Sequence, residues 1–196
     1  MLHNQSLNKE NIQLLFQTFA KEYESLGGKE DLNLYLVGGA AILFNFNYRK
    51  STIDIDALFK NTKIVEEAIK NTAQIMNLTD DWLNQDFKDT PSFSPKIVEK
   101  AKLFKEYGNT VKVFLLEPKY IISMKLKSSR PTGGDLDDII KMIYELRIKG
   151  DKLTFDETMK AYDELYQDHS NTYESFFRKT KEAFDTPIED FEYLFK

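Results

Sequence analysis

Apolar residues recur every three or four positions near the start of the chain, which is the spacing of one helix face. The pattern predicts a helix from Asn8 to Leu26, and Gly27 and Gly28 end it. The positions that carry the pattern are Ile12, Leu15, Phe16, Phe19 and Tyr23.

Short apolar runs follow this helix and predict the first strands of a sheet. Leu34–Val37 reads as a buried strand, Ala40–Phe46 as a helix opened by glycines, and Ile53–Phe59 as a second strand. Helical spacing returns over Ile64–Met76. The stretch from Asp80 to Pro95 is ambiguous, and one reading is a short helix anchored by Trp82.

The second half of the chain begins as a hairpin and then becomes helical. Ala101–Tyr107 and Thr110–Leu116 flank a Gly-Asn turn and predict two paired strands. Pro118 suits the first turn of a helix, and Asp135 opens another. Helices are predicted over Thr154–Gln167, Asn171–Ala183 and Ile188–Phe195. The elements together predict an α+β fold with a domain over residues 1–150 and a helical extension over residues 151–196.

Two aspartates on the second predicted strand carry the clearest chemical signal. Side chains alternate along a strand, so Asp54 and Asp56 would share one face while Ile53, Ile55 and Ala57 share the other. Neighbouring carboxylates repel unless a cation lies between them. Oxygen ligands of this kind suit a hard divalent ion. A strand, a Gly-Gly turn into a helix and a strand with Asp-x-Asp therefore predict a phosphate and metal site.

Composition and charge narrow the classes of function. Hydrophobic residues make up 41% of the 196 residues, enough for a folded core, and cysteine is absent, which excludes disulfides and thiolate sites. The two histidines, His3 and His169, are far apart in sequence, so a histidine metal centre is not expected. No apolar stretch is long enough for a membrane span and no signal pattern opens the chain, so we expect a cytoplasmic protein.

Positive charge concentrates in the middle of the chain. Residues 94–130 carry nine Lys or Arg against three Asp or Glu, and residues 151–196 carry six against twelve. A basic segment suits an anionic substrate, although solvated helix faces give the same pattern. On a helical wheel, Lys125 falls within an apolar arc and Lys127 on the opposite side. Lys125 therefore meets an anion, extends its charged end to the surface, or pairs with a structural acid.

The next predicted helix carries acids beside its buried stripe. The stripe is formed by Leu136, Ile139, Ile140, Met142, Ile143 and Leu146. Asp135 and Asp138 lie at or beside its edge, and Asp137 faces away. Asp135 alone would be a helix N-cap, and Asp138 alone would favour the helix dipole. Near Lys125 and Arg130, both become candidates for a charged cluster.

Two groups of motifs resemble a known superfamily. The run Val37-Gly-Gly-Ala-Ala41 with Arg49 and Ser51-Thr-Ile-Asp-Ile-Asp56 is similar to the signature of polymerase-β-type nucleotidyltransferases. The later run from Met124 to Arg130, followed by Gly134-Asp-Leu-Asp-Asp-Ile139, resembles the AbiEii-like toxin branch and its uncharacterised bacterial relatives. The resemblance covers roughly Leu34 to Glu145 and implies a mixed sheet flanked by helices.

The resemblance also implies roles for individual residues. Gly38 and Gly39 would bind the triphosphate of an NTP, and Asp54 and Asp56 would bind one or two Mg²⁺ ions. Arg49, Ser51 and Thr52 would contact phosphates or support their loop. In the later motif, Lys125 and Arg130 would neutralise phosphate charge, and Asp135 or Asp138 matches a second acidic position. The acceptor would be a hydroxyl of tRNA, protein or a small molecule, and a toxin would have a cognate antitoxin as partner.

A third carboxylate is the point at which this chain departs from the superfamily pattern. The following strand, Val111–Leu116, carries no acid until Glu117. Either Glu117 serves, or Asp135 or Asp138 replaces it, or the metal site is incomplete. Three hypotheses result: an active transferase, a catalytically degenerate nucleotide-binding protein, and an interaction protein that uses its acidic, aromatic-rich tail.

Overall fold

The computed structural model describes residues 6–130, 132–168 and 173–195. His3 and His169 lie outside the described residues. The chain divides into two compact units, one of residues 1–87 and 101–116 and the other of residues 88–100 and 117–196. Within the described residues, no helix combines the length and the apolar character that a membrane crossing needs.

The first unit contains the sheet. Its elements in chain order are α1 (Lys9–Ser25), β1 (Leu32–Leu36), α2 (Gly38–Asn45), β2 (Ile55–Leu58), α3 (Lys63–Met76), β3 (Leu83–Asn84), β4 (Lys102–Tyr107) and β5 (Val111–Leu115). The strand order is β3-β2-β1-β5-β4. The sheet is mixed, because β1 pairs antiparallel with β2 and parallel with β5, while β3 is parallel to β2 and β4 antiparallel to β5.

One face of this sheet forms the core of the first unit with α1 and α3. The rings of Phe16 and Tyr107 lie 5.3 Å apart, and those of Phe19 and Trp82 lie 5.9 Å apart. Trp82 is buried and its indole N–H donates to the carbonyl of Ile69 at 3.1 Å. The periodic apolar face of α1 is therefore buried as its sequence predicts.

The second unit is helical. Its helices are α4 (Ile97–Lys100), α5 (Pro118–Ser128), α6 (Asp135–Ile148), α7 (Phe155–Leu165) and α8 (Glu174–Asp185), followed by a 3-10 helix over Ile188–Phe195. Helix α5 packs against α6 and α7, and α6 packs against α8 and the 3-10 helix. Aromatic residues of the tail contribute to this core, and Tyr162, Tyr166, Phe176 and Phe191 are buried.

The predicted α+β fold, with a mixed sheet flanked by helices, is confirmed. The structure differs from the predicted elements in several details. Strand β2 begins at Ile55 and not at Ile53, which is 66% exposed and does not share the buried face of Ile55 and Ala57. The stretch after Asp80 forms β3 and a 3-10 helix over Asp86–Asp89, so Trp82 precedes a strand instead of anchoring a helix.

The boundaries of the two compact units differ from the predicted domain boundary near residue 150. Helices α5 and α6 lie within residues 1–150, yet they belong to the same unit as residues 151–196. Helix α5 packs on α7, which explains the grouping, because these helices bury one another's apolar faces. A functional boundary near Gly150 stays a prediction.

Candidate functional site

The Gly-Gly turn lies against the second aspartate of the Asp-x-Asp motif. Gly38 begins α2 with a φ of +57°, a conformation that glycine adopts without the steric cost of a Cβ. A Cβ at this position would lie 2.7 Å from Oδ2 of Asp56. The backbone N–H of Val37 donates to the carbonyl of Asp56 at 2.9 Å. The turn from β1 into α2 is thus held directly beside the Asp56 carboxylate.

The second glycine has equally close neighbours. A Cβ at Gly39 would meet the hydroxyl of Thr52 and would lie 3.0 Å from Nη1 of Arg49. Thr52 is buried, and its backbone exchanges two hydrogen bonds with Leu7 at 2.7 and 2.9 Å. This bridge holds the loop before β2 against the segment that precedes α1. Ser51 lies half-buried in the same loop.

The N-terminus of α2 is a site that can accept an anion. Val37 is the N-cap residue, and its own side chain makes no capping hydrogen bond. The first backbone N–H groups of a helix lack partners within the helix and carry partial positive charge. Phosphate groups bind well at such positions. The glycines leave room for the close approach, and Arg49 adds a positive charge beside it.

Asp54 and Asp56 lie at the start of β2. Both are half-buried, and the residues that follow them, Ile55 and Ala57, are buried in the core. Asp54 is not part of the strand, because β2 begins at Ile55, the next residue. The two carboxylates belong to one short segment, next to the N-terminus of α2.

Asn84 is a neighbour of the two aspartates that the sequence pattern did not predict. It lies on β3 in register with Asp56, and its side-chain amide donates to Oδ2 of Asp54 at 3.2 Å. Its Oδ1 accepts from the backbone N–H of Asp86 at 2.9 Å. The signal in the sequence is the apolar pair Trp82-Leu83 directly before the polar residues Asn84 and Gln85. A two-residue strand is too short to recognise by its pattern alone.

The chemistry of these donors fits a hard divalent cation. Carboxylate oxygens are the ligands that Mg²⁺ prefers, and Mg²⁺ retains water and phosphate oxygens as its other ligands. Asp54 and Asp56 would be the protein ligands of such an ion, with a nucleotide supplying the others. Among the described residues, no group of three or more Asp, Glu, His or Cys residues is arranged to hold a metal ion.

A cleft of about 230 Å³ opens beside the same loop of the first unit. Three basic residues line it, together with the N-terminus of α1 and the C-terminal part of α2. These basic residues are Lys9, Arg49 and Lys50. Arg49 thus contributes both to this cleft and to the surroundings of Gly39.

The later motif forms an ion cluster in the second unit. Lys125 Nζ lies 2.8 Å from Asp135 Oδ1 and 2.9 Å from Asp138 Oδ2, and its side chain is only 12% exposed. Arg130 binds Asp135 through Nε at 3.0 Å, through Nη2 at 2.9 Å and through its backbone N–H at 3.0 Å. The predicted charged cluster is therefore present.

Asp135 is the centre of this cluster and is fully buried. Burial raises its pKa, but the hydrogen bonds from Arg130 and the charge and hydrogen bond of Lys125 outweigh burial and lower the pKa to about 2. The N-cap of α6 is Gly134, so the reading of Asp135 as an N-cap is wrong. Asp135 is the first helical residue and neutralises two basic side chains.

Three other expectations for the second unit have clear outcomes. Lys127 is buried as well, and it donates to the carbonyl of Asp168 at 2.9 Å. Leu136 is only half-buried, whereas the other members of its predicted stripe are buried. Glu117 is the N-cap residue of α5 and forms an ion pair with Lys119 at 3.5 Å.

The mixed sheet, the glycine turn at a helix N-terminus and the adjacent Asp-x-Asp segment define a nucleotidyltransferase-type protein. A family model described as "Nucleotidyltransferase of unknown function (DUF6036)" matches residues 13–184. The match covers most of the chain, which therefore belongs to this family. Searches of curated proteins and of solved structures gave no match to the chain.

Proposed function

We propose that the protein moves a nucleoside monophosphate from an NTP to a hydroxyl group in a Mg²⁺-dependent reaction. The observation that carries this proposal is the close approach of Gly38 to Asp56, with only 2.7 Å between the position of a Gly38 Cβ and Oδ2 of Asp56. It brings a helix N-terminus suited to phosphate beside a carboxylate suited to the metal.

Each residue of the candidate site in the first unit then has a defined role in the reaction. The N–H groups of Gly38 and Gly39 bind phosphate oxygens, and Arg49 neutralises part of their charge. Asp54 and Asp56 hold one or two Mg²⁺ ions, and Asn84 orients Asp54 through its amide. Bound Mg²⁺ supplies charge neutralisation at the phosphates and lowers the pKa of the acceptor hydroxyl.

The transfer itself is an in-line displacement at the α-phosphorus. The acceptor oxygen forms a new bond to that phosphorus, and the bond to the bridging oxygen of pyrophosphate breaks. The hydroxyl proton passes to solvent, and pyrophosphate leaves. The protein contributes by fixing both reactants and by placing positive groups near the developing charge.

The ion cluster of the second unit supports a positioning role. Lys125, Arg130, Asp135 and Asp138 carry two positive and two negative formal charges, so the cluster has no excess charge to offer an anion. The Arg130 side chain is 61% exposed and is the member of this cluster that is most accessible to an anion. Asp135 and Asp138 would then fix Lys125 and the segment that presents Arg130.

One observation favours a second candidate, a catalytically degenerate nucleotide-binding protein. Asn84 is the residue in register with Asp56 on the neighbouring strand, and an amide there carries no charge. A carboxylate at this position would complete a three-acid set. The glycine turn and helix N-terminus would still bind phosphates without it.

The biological setting forms part of the proposal. A transferase of the AbiEii-like branch would act as a toxin on tRNA or protein acceptors and would be neutralised by an antitoxin. NTPs and tRNA are found in the cytoplasm, so we place the reaction there. Co-expression with the neighbouring gene tests this setting, because relief of growth arrest by the neighbour's product supports a toxin and antitoxin pair.

Label transfer from each of the four α-labelled NTPs tests the main proposal. The assay contains Mg²⁺, total tRNA and cell-extract protein, with the double variant Asp54→Ala/Asp56→Ala as control. Label on one acceptor class that disappears in the control supports the transferase. NTP binding without any transfer favours the degenerate protein. Full transfer by a folded double variant contradicts the proposal.

A further inference from the structure

An apolar row of side chains crosses one face of the sheet in the first unit. Tyr35 on β1 lies opposite Leu58 on β2 and beside Phe114 on β5, and Phe114 lies opposite Leu103 on β4. Residues in register on neighbouring strands present their side chains on the same face of a sheet. We call Leu58, Tyr35, Phe114 and Leu103 the apolar row.

The apolar row lies on the more exposed face. Tyr35, Phe114 and Leu58 are half-buried and Leu103 is 52% exposed, whereas Leu34, Leu36 and Val113, which point to the other face, are fully buried. The alternation of exposure along β1, β2 and β5 follows the alternation of side chains in a strand.

Asp56 shares this face, because it lies two residues from Leu58 on the same strand. The hydrogen bond between Val37 and Asp56 makes Tyr35, two residues before Val37, the diagonal neighbour of Asp56. Diagonal neighbours in an antiparallel pair are about 7–8 Å apart, within reach of a ring. The aromatic part of the apolar row thus begins next to the proposed metal-binding carboxylate.

The two rings form a stack. Their centroids are 4.8 Å apart and their planes differ by 28°. This separation equals the distance between neighbouring strands, about 4.8 Å, so the stack runs across the strands. The face of Tyr35 that turns away from Phe114 is therefore on the side of β2, where Leu58 lies opposite Tyr35 and Asp56 is its diagonal neighbour.

We infer that the apolar row binds the nucleobase of the NTP, with Tyr35 as the stacking ring nearest the phosphates. This inference rests on the proposed function and adds a base subsite to it. Stacking on an aromatic side chain is tolerant of base identity, because every base has a π face. The phosphates lie at Gly38 and Gly39, the ribose spans the distance beside Asp56, and the base packs on the apolar row at Tyr35.

Binding measurements with two ligands test this subsite. The probes are ATP and inorganic tripolyphosphate, each titrated calorimetrically with Mg²⁺ against the full chain. Tyr35→Leu keeps an apolar side chain but removes the ring, and Tyr35→Phe keeps the ring as the conservative control. Phe104→Leu removes an aromatic residue of β4 that lies next to the row but not in it.

We expect Tyr35→Leu to raise the Kd for ATP about tenfold, in the range of one lost base stack, and to leave the Kd for tripolyphosphate unchanged. Tyr35→Phe and Phe104→Leu should bind both ligands as the unaltered protein does. Rescue by phenylalanine separates stacking from any role of the hydroxyl.

Four outcomes overturn the inference. Equal weakening of ATP and tripolyphosphate by Tyr35→Leu means that the ring only supports the fold. Unchanged ATP binding means that no base stacks there. Equal affinity of the unaltered protein for the two ligands removes the base subsite but leaves the phosphate site. An unaltered protein that binds neither ligand overturns the proposed function, and the inference with it.

Discussion

Gly38 lies so close to Asp56 that a Cβ at Gly38 would be 2.7 Å from Oδ2 of the aspartate. This distance is shorter than ordinary contacts of a Cβ, so a larger residue would displace either the helix or the carboxylate. The contact joins the two halves of the candidate site, the N-terminus of α2 and the Asp-x-Asp segment. A substitution at Gly38 should therefore harm function more than stability.

We expect Gly38→Ala to abolish detectable nucleotide transfer. The positive φ of +57° adds strain of about 1–2 kcal/mol for any residue with a Cβ. Gly27→Ala is the matched control, because Gly27 has a φ of +91° in the same unit and its Cβ would meet open space. Both variants should lose the free energy that the positive φ costs, and only Gly38→Ala, which also displaces the helix or the Asp56 carboxylate, should lose label transfer. Equal activities in the two variants would contradict this reading of the contact.

Asn84 offers a test of whether the metal site is complete. We expect Asn84→Asp to tighten Mn²⁺ binding, used as a spectroscopic substitute for Mg²⁺, by about tenfold or more, because a third carboxylate adds charge beside Asp54 and Asp56. Electron paramagnetic resonance titration of Mn²⁺ measures the change. Asp81→Asn alters an exposed acid near the same strand and is the control. A weaker Mn²⁺ affinity in Asn84→Asp would place Asn84 outside the metal site.

The buried charges around Asp135 should be important for stability. Asp135→Asn leaves Lys125 and Arg130 without their shared carboxylate, and we expect the free energy of unfolding to fall by about 3 kcal/mol. Asp137→Asn changes an exposed acid in the same helical turn and should change stability by less than about 0.5 kcal/mol. Urea unfolding followed by circular dichroism measures both. Similar losses of unfolding free energy in the two variants would show that the ion cluster does not stabilise the fold more than an exposed acid does.

The same carboxylate predicts a dependence of stability on pH. The folded pKa of Asp135 is lowered from 3.8 to about 2, so the ionised group stabilises the fold above pH 4 and this contribution is lost as the pH falls from about 4 to 2. A shift of this size corresponds to roughly 2 kcal/mol. We expect the stability difference between the unaltered protein and Asp135→Asn to shrink over this pH range. A difference that stays constant down to pH 2 would assign the stabilisation to packing.

Sequence patterns predicted the elements that depend on local order. The helices α1, α3, α5 and α6 follow from apolar spacing and from helix-start residues, because a helix buries one stripe and its ends need recognisable residues. The hairpin of β4 and β5 follows from two apolar runs around Gly108 and Asn109. The Asp-x-Asp motif and the Gly-Gly turn are visible as types of residue, without any knowledge of their distance.

Tertiary structure decided what depends on register and on which elements meet. Asn84 became part of the site because β3 pairs with β2, and a strand of two residues has no period that a sequence can display. Ile53 is exposed because β2 begins two residues later, at Ile55. The apolar side chain of Ile53 gives no indication of where the strand begins.

The ion cluster and the apolar row illustrate the same division. The charges of Lys125 and Asp135 are evident in the sequence, but only packing of α5 against α6 brings them within 2.8 Å of each other in a buried position. Tyr35 and Phe114 are 79 positions apart in the sequence. They stack because β1 and β5 are neighbouring parallel strands of the sheet. The sequence by itself determined which side chains are available for the proposed chemistry, while the pairing of distant strands and helices determined which of them lie together, since long-range contacts leave no local period in the chain.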